Sequence, residues 1–266
     1  LGVARGLRHL GRRYTVAEAE TQGCFHPKMI LRLGRKKGLV WLGSNNLTSS
    51  GWGGNSEVGA AWRFGEGCAD DGRWVLPLLE HLLDIVQAPA VQKHLQQMLR
   101  VAGTLETGAE AALNSAVLFS QPGQALSGQL GQRWQGRRFD SVSILTGSTD
   151  QEGACVRWFN DRFGVQSARI AVHQNRCDFR PQALRDLPAE VTLHEPAVEG
   201  LLHGKLYLFK GPDGCAVVMG SANCSAAAWL LDPAAGGNSE CVLVYDQVDP
   251  AEFDFVEAVF GGPTYL

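Results

Sequence analysis

An internal repeat of 27 residues constrains the fold of this chain more than any other feature of its sequence. Residues 26–52 read HPKMILRLGRKKGLVWLGSNNLTSSGW, and residues 203–229 read HGKLYLFKGPDGCAVVMGSANCSAAAW. The copies align without a gap at an offset of 177 residues, with nine identical positions. The segment GGNSE recurs after each copy, at 53–57 and 236–240. Two linked motifs in the same order predict two halves of similar structure.

Polar positions of the repeat are kept more faithfully than the apolar positions around them. The His, Lys, Ser and Asn residues of the motif are identical in both copies. Apolar positions vary, as at Met29 and its counterpart Leu206, or Leu42 and its counterpart Met219. A repeat kept for packing alone predicts the opposite, and chance is disfavoured by two linked motifs. The pattern therefore indicates shared chemistry.

Each copy predicts a β-hairpin, because two short apolar runs are joined by a loop that contains glycine. The predicted strands are 28–33 and 39–42 in the first copy, and 206–209 and 216–219 in the second. Upstream of the second copy, strands and a helix alternate, at 141–146, 153–163, 168–173 and 191–194. We therefore predict an α/β fold made of a pseudo-twofold pair of half-domains, with mixed, largely parallel sheets flanked by helices.

The two predicted halves differ in length before their first histidine. Only 25 residues precede His26, whereas about 60 separate the strand near Ser141 from His203. We predict an N-terminal half at 1–105, truncated at its start, and a C-terminal half at 106–266. The chain begins with Leu1, which suggests a fragment or a processed piece. Helices are predicted at 75–86 and 90–101.

Composition excludes several classes of protein. The 266 residues are 45% hydrophobic and 19% charged, as in ordinary globular proteins. The sequence contains no run of 18 apolar residues, so it predicts no membrane-spanning helix. Seven cysteines without C-x-x-C spacing predict neither a disulfide framework nor a zinc site, and they favour a cytoplasmic location. The net charge is −3, yet residues 1–40 hold nine Lys and Arg against two Glu, so a local basic surface is compatible with the sequence.

The repeated residue types suit attack on a phosphodiester. This reaction needs a nucleophile in line with the leaving oxygen, an acid for that oxygen, and donors for the non-bridging oxygens. Two histidines can be nucleophile and acid, while lysine and asparagine can hold phosphate oxygens. Because residues i and i+2 of a strand share a face, each His of H-x-K points the same way as its Lys.

We predict one active site that draws on both copies. The predicted catalytic residues are His26, Lys28, Asn46, Glu57, His203, Lys205, Asn223 and Glu240. The residues predicted to bind phosphate are Lys28, Ser44, Asn46, Lys205, Ser221 and Asn223. The two glutamates are expected to accept from the far nitrogen of an imidazole and so to fix its tautomer. No cluster of metal-ligand spacing accompanies them, so no metal or other cofactor is predicted.

The pattern H-x-K, a spacer, G-S-x-N and a later Glu, present twice, resembles the phospholipase D superfamily. Two copies with identical spacing make this resemblance specific. It implies two phospholipase D-like half-domains and a metal-free reaction through a covalent phosphohistidine. One histidine attacks, and the other acts as acid and then as base. By analogy, His26 is assigned as the nucleophile and His203 as the acid.

One departure from the family pattern indicates which branch of the family this chain resembles most. The usual motif has an Asp five residues after the Lys, where this chain has Leu33 and Lys210. The chain is therefore more similar to tyrosyl-DNA phosphodiesterases and helicase-associated nucleases than to lipid-hydrolysing members. The resemblance implies a nuclease or DNA-end phosphodiesterase with nucleic acid as its substrate. A phospholipid hydrolase or transphosphatidylase and an inactive nucleic-acid-binding module are the alternatives, and the oligomeric state is left open.

Other residues that could carry chemistry are interpreted as structural. Trp52 and Trp229 are expected in the core rather than as base-stacking platforms. Residues 35–37 are expected to form a solvated hairpin tip rather than a DNA contact. His173 and His194 lie in predicted strands without partners at metal spacing, so they are left outside the predicted site.

Overall fold

Strands and helices form two unequal units, one around each copy of the repeat. The computed structural model describes residues 14–68, 72–105 and 114–265. The strands are β1 Met29–Leu33, β2 Lys37–Gly43, β3 Asn55–Ser56, β4 Gly59–Gly65, β5 Ser115–Phe119, β6 Ser141–Leu145, β7 Ser167–Ala171, β8 Glu190–His194, β9 Leu201–Leu202, β10 Leu206–Gly211, β11 Gly214–Gly220 and β12 Cys241–Tyr245. The helices are α1 Ser49–Gly53, α2 Val75–Ile85, α3 Pro89–Ala102, α4 Leu126–Arg133, α5 Ala154–Phe163, α6 Pro181–Arg185, α7 Ala226–Trp229 and α8 Asp254–Val259.

The second half is built on a seven-stranded mixed sheet with the order β5-β12-β11-β10-β6-β7-β8. The predicted α/β class and mixed sheet are confirmed, but the share of parallel pairing is smaller than predicted. Only β6, β7 and β8 are parallel in this sheet, because α5 and α6 return the chain to the same edge. The hairpin β10–β11 and the strands beside it pair antiparallel, since a tight turn reverses the chain direction.

Aromatic side chains fill the core beneath one face of this sheet. Trp134, Phe159, Phe209 and Trp229 are each at most 1% exposed. The Trp229 indole N–H donates to the Tyr207 hydroxyl at 2.9 Å, so its polar atom is satisfied inside the core. Ring pairs such as Trp134–Phe209, with centroids 5.2 Å apart, pack edge to face, as aromatic quadrupoles favour. The strands that carry the second copy of the repeat therefore rest on a closely packed core.

The first half has a three-stranded antiparallel sheet with the order β1-β2-β4. Val40 and Leu42 point inward and join a core cluster that includes Leu206 and Met219 of the second half, so the halves share a core. The helices α2 and α3 lie where the sequence predicts them, and α2 buries Leu79 against the first sheet. None of the described helices is long and apolar enough to cross a membrane.

Backbone pairing between the halves joins the two repeated motifs. β3, from the first GGNSE segment, pairs in parallel with β9, which precedes the second H-x-K motif. In the reciprocal position, Phe25 forms a parallel bridge with Ser239 of the second GGNSE segment. Each half thus holds the start of the other half's histidine motif, as a pseudo-twofold arrangement requires.

The structure confirms some of the structural interpretations made from the sequence and contradicts one of them. Trp229 is fully buried, as predicted, whereas the prediction that Trp52 lies in the core is wrong, since Trp52 is 51% exposed. The hairpin tip at 35–37 is exposed as predicted. The predicted domain boundary at 105/106 adjoins residues 106–113, which lie outside the described residues, so the division stays a prediction.

Candidate active site

Two histidine–glutamate pairs form the centre of the site, and each pair crosses between the halves. His26 Nδ1 is 2.9 Å from Glu240 Oε2, and His203 Nδ1 is 2.9 Å from both carboxylate oxygens of Glu57. With Nδ1 donating to a carboxylate, the Nε2 atom of each ring is left to face a substrate. The glutamate of each pair therefore comes from the opposite half, which sequence spacing alone did not reveal.

Each glutamate is itself held by residues of its own half. Ser44 Oγ donates to Glu57 Oε2 at 2.5 Å, and Asn55 Nδ2 donates to Glu57 Oε1 at 3.1 Å. Burial by itself raises the pKa of Glu57, but hydrogen bonds from Ser44, His203 and Asn55 lower that pKa overall. Glu57 is thus kept as a carboxylate beside the imidazole.

The second half repeats this support. The Ser221 hydroxyl donates to Glu240 Oε2, and Asn238 Nδ2 donates to Glu240 Oε1 at 3.0 Å. Ser221 and its counterpart Ser44 are fully buried. Both serine hydroxyls donate to the glutamates behind the imidazoles in this structure, and the predicted phosphate-binding role of the two serines stays a prediction.

The two lysines lie beside the histidines and are shielded from solvent. Lys28 Nζ donates to the carbonyl of His26 at 2.6 Å, and Lys205 Nζ donates to the carbonyl of His203 at 2.5 Å. Burial lowers the pKa of Lys28 to about 8 and that of Lys205 to about 7. Both pKa values are partly raised again by the charges of Glu57 and Glu240, so each lysine senses the carboxylates of both halves.

Gly147 lies where three side chains of the second half-site meet, those of His203, Lys205 and Asn223. A Cβ atom added at Gly147 would lie 3.1 Å from Lys205 Nζ, 3.3 Å from Asn223 Oδ1 and 3.4 Å from His203 Cδ2. Gly147 therefore leaves the space at which these three groups meet. Thr146 Oγ1 lies 3.4 Å from Asn223 Oδ1, although the closer acceptor for its proton is the Ser148 carbonyl at 2.8 Å.

The asparagine of the first half is more open. Asn46 is exposed, and no described residue hydrogen-bonds to its side-chain amide. Its backbone N and O would lie 2.9 and 2.3 Å from a Cβ atom added at Gly51, so α1 packs directly on this residue. The amide is available to an oxygen of a bound phosphate.

Four residues of the site were missed from the sequence. Asn55 and Asn238 belong to the repeated GGNSE segments, so their repetition was a signal that could have been used. Thr146 and Gly147 lie at the end of β6 and have no counterpart in the first copy, so no repeat signal marks them. Among the described residues, no group of three or more His, Cys, Asp or Glu could hold a metal ion.

Comparisons with solved structures show the fold. A scan against protein-family models and a search of curated proteins gave no match. One structure of a yeast tyrosyl-DNA phosphodiesterase mutant matches with a TM-score of 0.57 at 12% identity, covering 87% of this chain and 69% of that chain. Another structure of the yeast enzyme matches with a TM-score of 0.52 at 13% identity, covering 83% and 68%.

A smaller protein matches over one part of the chain. Nuc from Salmonella typhimurium, a phospholipase D family member, has a TM-score of 0.41 at 17% identity and covers 57% of this chain and 98% of that chain. The fold assignment rests on the yeast structures, whose match extends over both halves. With two crossed histidine motifs on two joined half-domains, the chain has the fold seen in yeast tyrosyl-DNA phosphodiesterase.

Proposed function

We propose that this protein is a metal-independent phosphodiesterase that works through a phosphohistidine intermediate, and that it is a nuclease or a DNA-end processing enzyme. The observation that carries the proposal is the crossing of the two histidine–glutamate pairs. His26 is held by Glu240 and His203 by Glu57, so each imidazole needs both halves for its orientation. Such an arrangement serves a reaction that uses both rings on one substrate.

The chemistry follows from the two free Nε2 atoms. Neutral His26 attacks phosphorus, an N–P bond forms, and the bond from phosphorus to the leaving oxygen breaks as His203 gives that oxygen a proton. Water then attacks the phosphohistidine and gives its proton to His203, while the N–P bond breaks and His26 is restored. His203 is protonated again at the end, so the cycle closes.

The surrounding groups supply the charge stabilisation that this reaction needs. Two lysine ammonium groups lie beside the histidines with little solvent around them, since Lys28 is 8% exposed and Lys205 is 1% exposed. A bound phosphodiester anion favours their protonated forms, because opposite charges interact strongly at a poorly solvated site. The amides of Asn46 and Asn223 add directed donors for the non-bridging oxygens.

Nucleic acid is the substrate class that we propose. The motif resembles the tyrosyl-DNA phosphodiesterase branch, and the yeast structures that share the fold carry that name. Asn46, the repeated asparagine of the first motif, is exposed and therefore accessible to a substrate that extends beyond one phosphate.

A substrate panel tests the proposed function. The panel contains bis-p-nitrophenyl phosphate, single- and double-stranded DNA, RNA, a 3′-phosphotyrosyl oligonucleotide and phosphatidylcholine, each with and without EDTA. We expect cleavage of the nitrophenyl ester and of at least one nucleic acid, with no loss of rate in EDTA. Complete loss on chelation with rescue by magnesium or manganese would contradict the mechanism, and cleavage of phosphatidylcholine alone would identify a lipid enzyme instead.

A further inference from the structure

His173 lies outside both copies of the repeat, yet it contacts the segment that carries His203. Its Nδ1 atom is 2.6 Å from Glu195 Oε1. Its Nε2 atom accepts a hydrogen bond from the backbone N–H of Leu202 at 2.9 Å. Both ring nitrogens are thus taken up, and the side chain is only 18% exposed.

These contacts fix the tautomer of the neutral His173 ring. A backbone N–H can only donate, so the Nε2 atom must present its lone pair. The proton of the neutral ring is therefore on Nδ1, which donates it to Glu195. The second carboxylate oxygen of Glu195 accepts from the backbone N–H of Gln174 at 2.8 Å, so the carboxylate is also fixed.

The Leu202 N–H belongs to β9, the two-residue strand that leads into His203. One edge of β9 pairs with β3, and the backbone N–H groups of His203 and Gly204 both donate to the Ser56 carbonyl at 2.9 Å. The Leu202 side chain is 2% exposed and belongs to the core cluster that both halves share. The segment is bound to β3 through one set of contacts and to His173 through another.

The first half has no equivalent support among the described residues. Phe25 occupies the position that corresponds to Leu202 in the repeat, and it is 43% exposed. The backbone N–H of His26 donates to the Ser239 carbonyl at 2.9 Å, but no described histidine accepts from the N–H of Phe25. The contact from His173 therefore distinguishes the second half-site from the first.

We propose that His173, oriented by Glu195, is a positioning residue that holds the backbone at Leu202 and thereby aims the imidazole of His203 at the substrate. The proposal rests on the proposed function, in which His203 is the acid and then the base. A buried N–H that loses its acceptor is unfavourable, so the backbone would shift to find another partner. Steps that use His203 should slow, whereas substrate binding by the lysines and asparagines should change little.

Three variants of the full chain test this proposal. His173→Phe keeps the ring shape and removes the acceptor, while His173→Gln keeps a side-chain oxygen that can reach the Leu202 N–H. The matched control is His194→Phe, because the His194 ring nitrogens hydrogen-bond to no described residue. The measurements are kcat and KM on a nitrophenyl diester, the pre-steady-state burst of nitrophenol, and hydrogen exchange of the Leu202 amide.

We expect His173→Phe to lower steady-state kcat by about 10- to 100-fold, the loss that misplacing a reacting group by about 1 Å can cause. The burst rate and kcat/KM should stay close to wild type, since a nitrophenolate leaves without an acid, and KM should therefore fall together with kcat. The Leu202 amide should exchange faster. His173→Gln should recover most of kcat and of the amide protection, and His194→Phe should resemble wild type.

Wild-type kcat and Leu202 protection in His173→Phe would overturn the proposal, as would a His173→Gln variant as slow as His173→Phe. If His173→Phe does not fold, the Gln variant decides: near-wild-type kcat supports the proposal, and a loss of about tenfold or more contradicts it. Failure of the wild-type protein to cleave any phosphodiester would instead refute the proposed function. Exchange at the Leu202 amide would still show whether His173 holds that backbone.

Discussion

The two half-sites share the hydrogen bonds that hold their lysines and glutamates, but they differ in how deeply they are buried. In each half, a lysine donates to the carbonyl of its histidine, and a serine and an asparagine hold a glutamate. The second half-site rests on a seven-stranded sheet, while the first rests on three strands. The motif therefore determines local geometry, whereas the surrounding fold determines solvent exposure.

This difference in burial changes the chemistry of equivalent residues. The pKa of Lys205 falls to about 7, lower than the value of about 8 for Lys28. The tryptophans that end the two copies differ as well, with Trp229 in the core and Trp52 half exposed. Equivalent positions in a repeat can thus differ in pKa and in burial.

The largest expected effect would come from removing either histidine, which would show that both half-sites serve one reaction. His26→Ala and His203→Ala should each reduce turnover of an unactivated phosphodiester by at least about 1,000-fold, because one loses the nucleophile and the other the acid. His94→Ala is the control, since His94 is an exposed residue of α3. Near-wild-type activity in either variant, with folding shown by circular dichroism, would break the claim that the halves form one site.

The paired tryptophans should differ strongly in their contribution to stability. Trp229→Ala should lower the free energy of unfolding by about 3–5 kcal/mol, because it leaves a cavity in the aromatic core. Trp52→Ala should change it by less than about 1 kcal/mol, since half of that side chain is already in solvent. Urea unfolding of both variants measures the difference, and equal losses would show that the first half packs as tightly as the second.

The pH dependence should separate the role of His203 from that of the lysines. Burial, followed by the charge of Lys205, lowers the pKa of His203 below its ordinary value of 6.5. Above that pKa the acid is lost, so kcat/KM for a poor leaving group should fall about tenfold per pH unit. The matched nitrophenyl ester should lack the part of the fall that comes from deprotonation of His203, because its leaving group needs no proton.

Thymidine 3′-phosphodiesters with ethanol or nitrophenol as the leaving group provide the measurement. Both substrates should lose kcat/KM at higher pH as the lysines, with pKa values of about 7 and 8, become neutral. Identical profiles for the two esters would contradict the assignment of a histidine acid.

A further expected effect concerns stability as a function of pH. The pKa of Lys205 is about 7 in the folded protein and 10.5 in its unperturbed state, so between these values the unfolded chain binds more protons. The stability of the wild type relative to Lys205→Met should therefore rise with pH in this window, by at most about 1.4 kcal/mol per pH unit. The stability of the wild type relative to Lys28→Met should rise over a narrower pH range, which begins at about pH 8. Parallel stability curves for both variants and the wild type would refute the difference in burial.

The candidate site was largely predictable because the repeat preserves the polar side chains that make hydrogen bonds. The predicted histidines, lysines and glutamates all come together, and Asn223 lies with them. The crossing of Glu57 to His203 was not predictable, since pairing between β3 and β9 depends on contacts across 146 residues. Local patterns carry little information about such distant pairing.

Other features were missed for related physical reasons. His173 contacts the site through the backbone N–H of Leu202. A backbone N–H is the same in nearly every residue type, so the sequence does not reveal this contact. The exposure of Trp52 depends on how much sheet surrounds the first copy, which its own motif does not encode. The antiparallel share of the large sheet was underestimated because the β10–β11 hairpin lies within it rather than beside it.

The most direct test of the central claim is to map the phosphoryl adduct by mass spectrometry after reaction with a nitrophenyl phosphodiester. In His203→Asn the first step should proceed while the second stalls, because the base for water is missing. We predict a burst of nitrophenol and an acid-labile, base-stable phosphoryl group on His26, with neither in His26→Asn. A phosphoryl group on His203 in His26→Asn would reverse the two roles, and one on a serine or cysteine would contradict the mechanism.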